Sequence, residues 1–553
     1  MLLIGTVGWI GFAAQSRVFS RDELIEDVRQ LAEILETTHP DPFLRGGGRV
    51  AFYLRLDAIL NAIPDEGMTV DRFIRLLRPL VASVGDAHTA ILSTYPVSDT
   101  YAGGVPLRFG VVETSLVVNG IASPKDERLF GARLVSVEGL TVPDLMARQR
   151  TIVGLENDYH VLLTLAERTL WYGPYLEELL PDWADPSRIT VALDLPSGER
   201  ETVTYELPTL TRFVRRPATA VDVPAVNSAG FFAGFLSLAP STGAAGTDHS
   251  ADPIAGGECA YVRIDHQAGF REFLEENAAA GANDTTAEQR ARVPSATEAF
   301  RDLAIAMEAR GTETLLIDLR FDVGGTDSMA DILVYFLFGF DGLRAFHSEQ
   351  YIHGGFSAMR YSVLHFKNCA NRSIEQVNEG RDGVPLAVGE YDIDDYRGQE
   401  AEMQARIEQV DVRAALADDY ETKPTFHEEF VTGAYAGFYR PTNVAVLVSP
   451  KTFSAGSTVM KALGLAGATL FGTPSGQSSN SFGNGTRWRL DHSGVNGIIS
   501  RSYFDPYPND PARGDVWPID VPLTYEAWRS YESDPNAELL LALDWFAARG
   551  GAQ

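Results

Sequence analysis

The chain has 553 residues, enough for several structural units at roughly 100–200 residues per domain, and its core needs no metal or disulfide for stability. Hydrophobic residues make up 45% of the sequence and charged residues 22%, which excludes a disordered or collagen-like chain. The 75 acidic and 46 basic side chains give a net charge of −29, which argues against nucleic-acid binding because phosphate backbones attract basic surfaces.

The first feature along the chain is an apolar run, Leu2–Ala14, with the length of the hydrophobic region of a signal peptide. It is too short to span a bilayer, and no integral membrane domain is expected. The small residues Ala14 and Ser16 would suit cleavage, although no basic residue precedes the run. We expect export to the periplasm or the extracellular space; the alternatives are a first β-strand or a frayed terminus, in a cytoplasmic protein.

Hydrophobic periodicity divides the remaining chain into three kinds of structure. Apolar residues recur at helical spacing after Ser20, which can cap a first helix, and a third helix opens at Thr69 and ends at Gly85. From about residue 100 an alternating, valine-rich pattern predicts a compact β-rich module. From Cys259 strands alternate with helices, which predicts a mixed α/β fold with a helix-covered sheet. The predicted units are a signal peptide or anchor at 1–19, a helical module at 20–95, the β-rich module at 96–215, a low-complexity linker at 216–258, an α/β core at 259–530 with an acidic insertion at 385–430, and a C-terminal helix at 531–553.

Two strand ends in the α/β part carry residues suited to chemistry, and ligands bind such sheets at the carboxyl ends of strands. The first is Leu315–Thr326, where a buried strand leads into Gly324 and Gly325. Glycines there can point backbone N–H groups at a bound anion, although a pair of glycines on its own is more often a plain turn.

At the second strand end, Ser454 lies where the next helix begins, with the N–H of Ala455 free to donate. The positive end of the helix dipole and a free donor suit a nucleophile that must stabilise an oxyanion. Taken alone, a serine in this position is more often a helix cap. A third motif, GDAHT, places His88 just past a helix, where an isolated histidine is more often structural.

Together and in this order, the motifs resemble those of the C-terminal-processing (tail-specific) serine protease family, in particular its tricorn-core-like branch. The matching run, from about Asp22 to the C-terminus, is the helical module ending in GDAHT, the β-rich module, IDLRFDVGGT, VLVSPKTFSAGS, ATLFGTPSGQ and VWPIDVPLTY. The resemblance implies a crotonase-like α/β catalytic core and serine peptidase activity on extended polypeptide substrates, without a cofactor or a metal. The phrase GARLVSVEGLTV makes the β-rich module PDZ-like, without a recognisable carboxylate-binding loop.

The resemblance also implies roles for individual residues. Ser454 matches the nucleophile and His88 the general base, while Ala455 with the pair Gly324 and Gly325 matches the oxyanion donors.

This chain has no lysine at the position of the family's lysine base. Other members use a lysine in a Gly-Lys-Gly segment after the serine, and here Gln477 occupies that position. An amide cannot accept the serine proton, so a Ser–His centre is favoured over a Ser–Lys dyad. Tricorn-like members have an acidic residue shortly before their final Gly…Pro-Asp stretch. The matching segment of this chain is NDPARGDVWPIDV, which contains no Glu. We therefore predict Asp510 as the third catalytic residue, with Asp515 as the second choice.

One alternative belongs to a different functional class. A family member without catalysis could bind peptides or hydrophobic ligands, because a fold does not fix a function. Other hydrolase classes fit less well, since the sequence has no G-x-S-x-G elbow, no H-E-x-x-H motif and no P-loop. Cys259 and Cys369 are too few for a disulfide framework and lack metal-ligand spacing, but whether they pair stays open.

Overall fold

A computed structural model describes residues 17–93, 103–207, 213–215, 221, 223–237, 258–281, 283–368, 373–379, 381, 383–433 and 439–550. The apolar run on which the export prediction rests, and Cys369, lie outside these residues, so export and cysteine pairing stay predictions. Within the described residues no helix combines the length and the apolar character needed to cross a membrane.

The N-terminal unit is a cluster of three helices. Its elements are β1 (Val18–Phe19), α1 (Arg21–Thr38), α2 (Gly48–Ala62), β2 (Met68–Thr69), α3 (Val70–Ala82) and β3 (Ala90–Ile91). Ser20 caps α1 as predicted, in a capping box with Glu23. The helices bury a shared apolar core that also includes Trp488 and Ile499 from the C-terminal part of the chain. The unit is therefore docked on the rest of the protein.

The β-rich unit is a seven-stranded antiparallel sheet with helices packed on it. Its elements are β4 (Leu107–Val112), β5 (Ser115–Ile121), β6 (Arg133–Val137), β7 (Leu140–Thr141), α4 (Val142–Gln149), α5 (Asp158–Thr164), α6 (Gly173–Leu179), β8 (Arg188–Asp194), β9 (Arg200–Glu206) and β10 (Val214–Arg215). The strand order is β10-β5-β6-β8-β9, with β4 on β5 and β7 on β6. The helices α5 and α6 were not predicted, and the loop between α4 and α5 reaches the candidate site.

The C-terminal part contains a six-stranded sheet and a five-stranded sheet. Its elements are β11 (Phe231–Ser237), β12 (Glu258–Ile264), α7 (Arg271–Ala279), α8 (Ala287–Arg290), α9 (Ala296–Arg310), β13 (Thr314–Asp318), α10 (Ser328–Ile352), β14 (Phe356–Arg360), α11 (Val363–Asn368), α12 (Ile374–Asn378), β15 (Tyr391–Asp395), α13 (Glu400–Ile407), α14 (Val412–Tyr420), α15 (Pro424–Thr432), β16 (Asn443–Val448), α16 (Ala455–Ala466), β17 (Thr469–Gly472), β18 (Ser481–Arg489), β19 (Asn496–Asp505), α17 (Pro511–Asp515), β20 (Val521–Pro522), α18 (Tyr525–Ser530) and α19 (Ala537–Gly550). The predicted mixed α/β class is confirmed; the crotonase-like assignment stays a prediction.

The six-stranded sheet forms the centre of this part. Its order is β11-β12-β13-β16-β17-β20, parallel except for β11, which pairs antiparallel with β12. The strand β11 lies inside the predicted 216–258 linker, so the linker prediction is wrong at Phe231–Ser237. The aromatic side chains of FFAGFLS explain the difference, because Phe231 is buried in the main core.

The five-stranded sheet has the order β15-β14-β19-β18, with β3 of the N-terminal unit added to β19. Gly497 and Ile498 pair with Ile91 and Ala90, which fixes the segment just after GDAHT against this sheet. The segment of the predicted acidic insertion contains β15, α13, α14 and most of α15, and Leu416 of α14 and Phe430 of α15 are buried in the main core.

Candidate active site

Parallel pairing of β13 with β16 brings the two predicted strand ends together. Leu315 lies beside Val444, and the loops after both strands leave the sheet at the same edge. The loops are also bonded to each other, because the N–H of Phe453 donates to the carbonyl of Asp322 at 2.9 Å. The Gly-Gly turn and the candidate serine thus form one rigid edge.

Ser454 occupies an unusual backbone conformation at the start of α16. Its φ is 54° and its ψ −127°, in a region that non-glycine residues rarely adopt. Its side chain makes no capping hydrogen bond to the helix, so the helix-cap interpretation does not apply. The hydroxyl Oγ lies instead 3.2 Å from Nε2 of His88. The two predicted catalytic residues, 366 positions apart in the chain, are within hydrogen-bonding distance.

The turn before α10 is shaped for close approach to this serine. A Cβ atom on Gly324 would lie 2.7 Å from Cβ of Ser454, and the φ of Gly324 is 88°, so only glycine fits there. The N–H of Gly324 donates to Oδ1 of Asp322 at 2.9 Å and is therefore occupied. Gly325 and Ala455 both line the cavity at Ser454. Since Ala455 opens α16, its N–H has no partner within the helix.

His88 is held by the residues of its own motif. Oδ1 of Asp86 accepts the N–H of His88 at 2.8 Å, and Oδ2 accepts the hydroxyl of Thr89 at 2.5 Å and lies 3.3 Å from Nε2 of His39. The imidazole stacks on Phe453, with ring centroids 5.1 Å apart. These contacts turn Nε2 of His88 toward the serine and Nδ1 into the protein interior.

Two buried carboxylates face Nδ1 of His88. Oε1 of Glu156 lies at 3.8 Å and Oδ1 of Asp86 at 3.9 Å, both longer than a hydrogen bond. Nδ1 of His88 and Oε1 of Glu156 are buried and have no hydrogen-bond partner among the described residues. Because Asp86 already binds the backbone of its own motif, Glu156 is the better placed third member of a Ser-His-acid arrangement.

The predicted third residue, Asp510, lies elsewhere. Its carboxylate caps α17 by accepting the N–H of Arg513 at 3.1 Å, and it makes no ion pair with His88. The second choice, Asp515, lies 3.5 Å from the hydroxyl of Ser478. The structure thus corrects the assignment of Asp510, because its carboxylate is used in the cap of α17 while Glu156 is the carboxylate that faces the imidazole.

Burial and mutual charge interactions together set the pKa values of His88, Glu156 and Asp86. Burial lowers the pKa of His88, but the Glu156 and Asp86 carboxylates outweigh that effect and raise it above its ordinary value. Burial raises the pKa of Glu156, against the opposing influence of His88. For Asp86 burial also acts upward, yet the hydrogen bond from His39 and the charges of His39 and His88 lower its pKa overall. Burial lowers the pKa of the neighbouring His160 to about 4, which leaves His88 as the basic imidazole of the site.

Gln477, at the position of the family's lysine, connects the serine to the acid. Its Oε1 accepts the N–H of Ser454 at 3.2 Å, and its Nε2 donates to Oε2 of Glu156 at 2.6 Å. The N–H of Ser478 donates to the same Oε2 at 2.9 Å. The amide thus orients Glu156, so that Oε1 is the oxygen that faces His88.

A cavity of about 330 Å³ opens in front of these groups. His88, Gly325, Ser454 and Ala455 line its reactive end, and residues of α10, α16 and β18 form its walls. Lys461 lines the wall on α16, whereas Lys451 on the serine loop pairs with Glu167 at 2.6 Å. Neither lysine forms a hydrogen bond with Ser454 among the described contacts.

Glu156 and the role of Gln477 were missed by the sequence analysis. Glu156 lies in an irregular loop of the β-rich unit, directly before Asn157, which caps α5. Asn157 donates to the carbonyls of Ser475 and Asp515 at 3.0 and 3.3 Å, and this anchors the loop against the serine segment. The one available signal was Gln477 itself, because a buried amide in place of a lysine requires a polar partner.

Comparison with solved structures gives matches over nearly the whole chain. Mature CPAF aligns with a TM-score of 0.53 at 12% identity, over 96% of this chain and 98% of its own. Mature CPAF complexed with lactacystin aligns with a TM-score of 0.51 at 13% identity, over 96% and 99%. The photosystem II D1 C-terminal processing protease aligns at 13% identity over 95% and 97%, with a TM-score of 0.37.

The two CPAF structures establish the fold of this chain. The resemblance to the tail-specific proteases is thereby confirmed at the level of the fold. No protein-family model and no curated protein matches the sequence.

Proposed function

We propose that this chain is a serine peptidase that cleaves extended polypeptides through an acyl-enzyme on Ser454. The observation that carries the proposal is the 3.2 Å contact between Oγ of Ser454 and Nε2 of His88, in a chain with the fold of mature CPAF. A nucleophile and a base in hydrogen-bonding reach, with the base oriented by a third group, is the arrangement that activates a serine.

In the proposed mechanism, the Ser454 hydroxyl attacks a peptide carbonyl while Nε2 of His88 takes its proton. The imidazolium that forms is stabilised by the negative charges of Glu156 and Asp86, whose carboxylate oxygens lie 3.8 and 3.9 Å from Nδ1. The oxyanion of the tetrahedral intermediate accepts the N–H groups of Ala455 and Gly325 at the reactive end of the cavity. His88 then returns the proton to the leaving amine, and water releases the acyl group by the same route.

The proposed Ser–His centre needs no lysine. The Gln477 side chain is an amide and not a base, and Lys451 forms an ion pair with Glu167. Lys461 lies seven residues into α16, about 10 Å along the axis from Ser454. The geometry supports His88 as the group that takes the serine proton.

A fluorophosphonate probe tests the proposal without knowledge of the substrate, because only an activated serine reacts quickly with it. We expect rapid labelling of the wild type and none of Ser454→Ala, with labelling retained in Ser457→Ala as the matched control on the same helix. A folded wild-type protein that does not label would favour the alternative, a binding protein that keeps the fold without catalysis.

A further inference from the structure

The side of His88 that faces away from Ser454 is surrounded by metal-ligating atoms. Nδ1 of His88 and carboxylate oxygens of Asp86 and Glu156 lie within 4.8 Å of one another. Both carboxylate side chains are completely buried. Oε1 of Glu156 and Nδ1 of His88 have no hydrogen-bond partner among the described residues. Unpartnered buried atoms of this kind require an explanation, such as an unfilled site or a catalytic role.

The distances fit a small divalent cation. Bonds of about 2.0–2.2 Å to nitrogen and oxygen in a tetrahedral zinc site put neighbouring ligand atoms roughly 3.4 Å apart. The separations here, 3.8 Å from Nδ1 of His88 to Oε1 of Glu156 and 3.9 Å to Oδ1 of Asp86, exceed that value by about 0.4 and 0.5 Å. Oδ1 of Asp86 accepts the N–H of His88 and has a second lone pair.

The two carboxylate ligands are also oriented by their own hydrogen bonds, as ligands in zinc sites are. Glu156 is held through Oε2 by Gln477 and Ser478, which leaves Oε1 facing the imidazole. Asp86 is held through Oδ2 by Thr89. A cation between these groups would meet ligands that are already in place.

From these contacts we propose that Asp86, His88 and Glu156 form an inhibitory Zn²⁺ site behind the catalytic imidazole. Zinc bound at Nδ1 of His88 fixes the remaining ring proton on Nε2, the atom 3.2 Å from Oγ of Ser454. That nitrogen then has no lone pair to accept the serine proton, and the serine is not activated. The inhibitory effect rests on the proposed peptidase function, whereas zinc binding itself does not.

Isothermal titration of the Ser454→Ala protein with Zn²⁺ tests the site without catalysis. We expect about one zinc per chain, and at least about 10-fold weaker binding when Glu156→Gln is added. Adding Asp158→Asn instead, which alters an exposed carboxylate two residues further along the chain at the start of α5, should leave the affinity within about 2-fold. Absence of binding to Ser454→Ala, or equal affinity after Glu156→Gln, overturns the proposal.

A second measurement tests the inhibition. Zinc should abolish fluorophosphonate labelling of the wild type, and EDTA should restore it. Unchanged labelling at a zinc concentration that saturates the Ser454→Ala protein overturns the inhibitory role. A wild type that never labels, even with EDTA present, is instead a failure of the proposed peptidase function, and the titration still decides whether zinc binds.

Discussion

Replacing Glu156 with glutamine tests the third catalytic residue most directly. The carboxylate is buried and lies 3.8 Å from Nδ1 of His88. Two unit charges at about 4 Å interact by ~4 kcal/mol at an effective dielectric constant of about 20. At 1.36 kcal/mol per factor of ten, loss of this attraction corresponds to an approximately 10³-fold loss of rate. Because Asp86 keeps a second carboxylate at 3.9 Å, we expect a decrease of about 10²- to 10³-fold in kcat/KM.

The glutamine would also disturb the tautomer of the imidazole. Its amide oxygen is needed by the donors of Gln477 and Ser478, which leaves the amide NH₂ group facing Nδ1 of His88. A donor there favours the tautomer with the proton on Nε2, which cannot accept from the serine. The unfavourable tautomer therefore lowers the rate further, in addition to the loss of the Glu156 charge.

The assay is the second-order rate of fluorophosphonate labelling, together with hydrolysis of a fluorescently labelled unfolded protein. Asp510→Asn is the discriminating control, and it should stay within a few-fold of wild type because Asp510 only caps α17. Circular dichroism checks that both variants are folded. If Glu156→Gln retains more than about a tenth of the wild-type rate, or if Asp510→Asn loses as much as Glu156→Gln, the assignment of Glu156 is refuted.

Further predictions concern the serine, the base and the bridging amide. Ser454→Ala should abolish peptide hydrolysis and leave the protein folded, while Ser457→Ala retains hydrolysis; a hydrolysing Ser454→Ala protein contradicts the assignment. His88→Ala should lower kcat at least about 10²-fold and Lys451→Ala by no more than a few-fold, measured by steady-state kinetics; the reverse order would identify a lysine base. Since protonated His88 is inactive and its pKa is raised, kcat/KM should fall with decreasing pH at an inflection above 6.5; an inflection below 6 refutes that direction. Gln477→Met should lower kcat about 10-fold at nearly unchanged KM and move this inflection, because Glu156 loses its positioning hydrogen bond; a change in KM alone would contradict the positioning role.

The part of the site that the sequence predicted consists of residues with a local signature. Ser454 and the Gly324–Gly325 turn follow buried strands, and parallel pairing of those strands joins them automatically. His88 follows a helix in the motif GDAHT, and the order of motifs indicated that it meets the serine. Such elements are predictable because strand and helix periodicity are properties of neighbouring residues.

Glu156 could not be predicted in this way, because nothing local distinguishes it from a solvated loop glutamate. Its burial and its role arise from docking of the β-rich unit on the α/β core, through contacts of Asn157 with Ser475 and of Gln477 with Glu156 itself. These partners are more than 300 residues apart in the chain, so no short sequence motif contains both of them. Asp510 was chosen by position within a motif that this chain alters, and the altered segment forms the capped helix α17 instead.

The origin of the three proposed catalytic groups has a consequence for biosynthesis. His88 belongs to the N-terminal unit, Glu156 to the β-rich unit and Ser454 to the α/β core, and 366 positions separate the first from the last. The core of the N-terminal unit includes Trp488 and Ile499, and Glu156 is held by Gln477, so the base and the acid reach their places only after the C-terminal part of the chain has been synthesised. Under the proposed function, the active site is therefore assembled only when nearly the whole chain has folded, and a growing polypeptide has no proteolytic activity with which to digest itself.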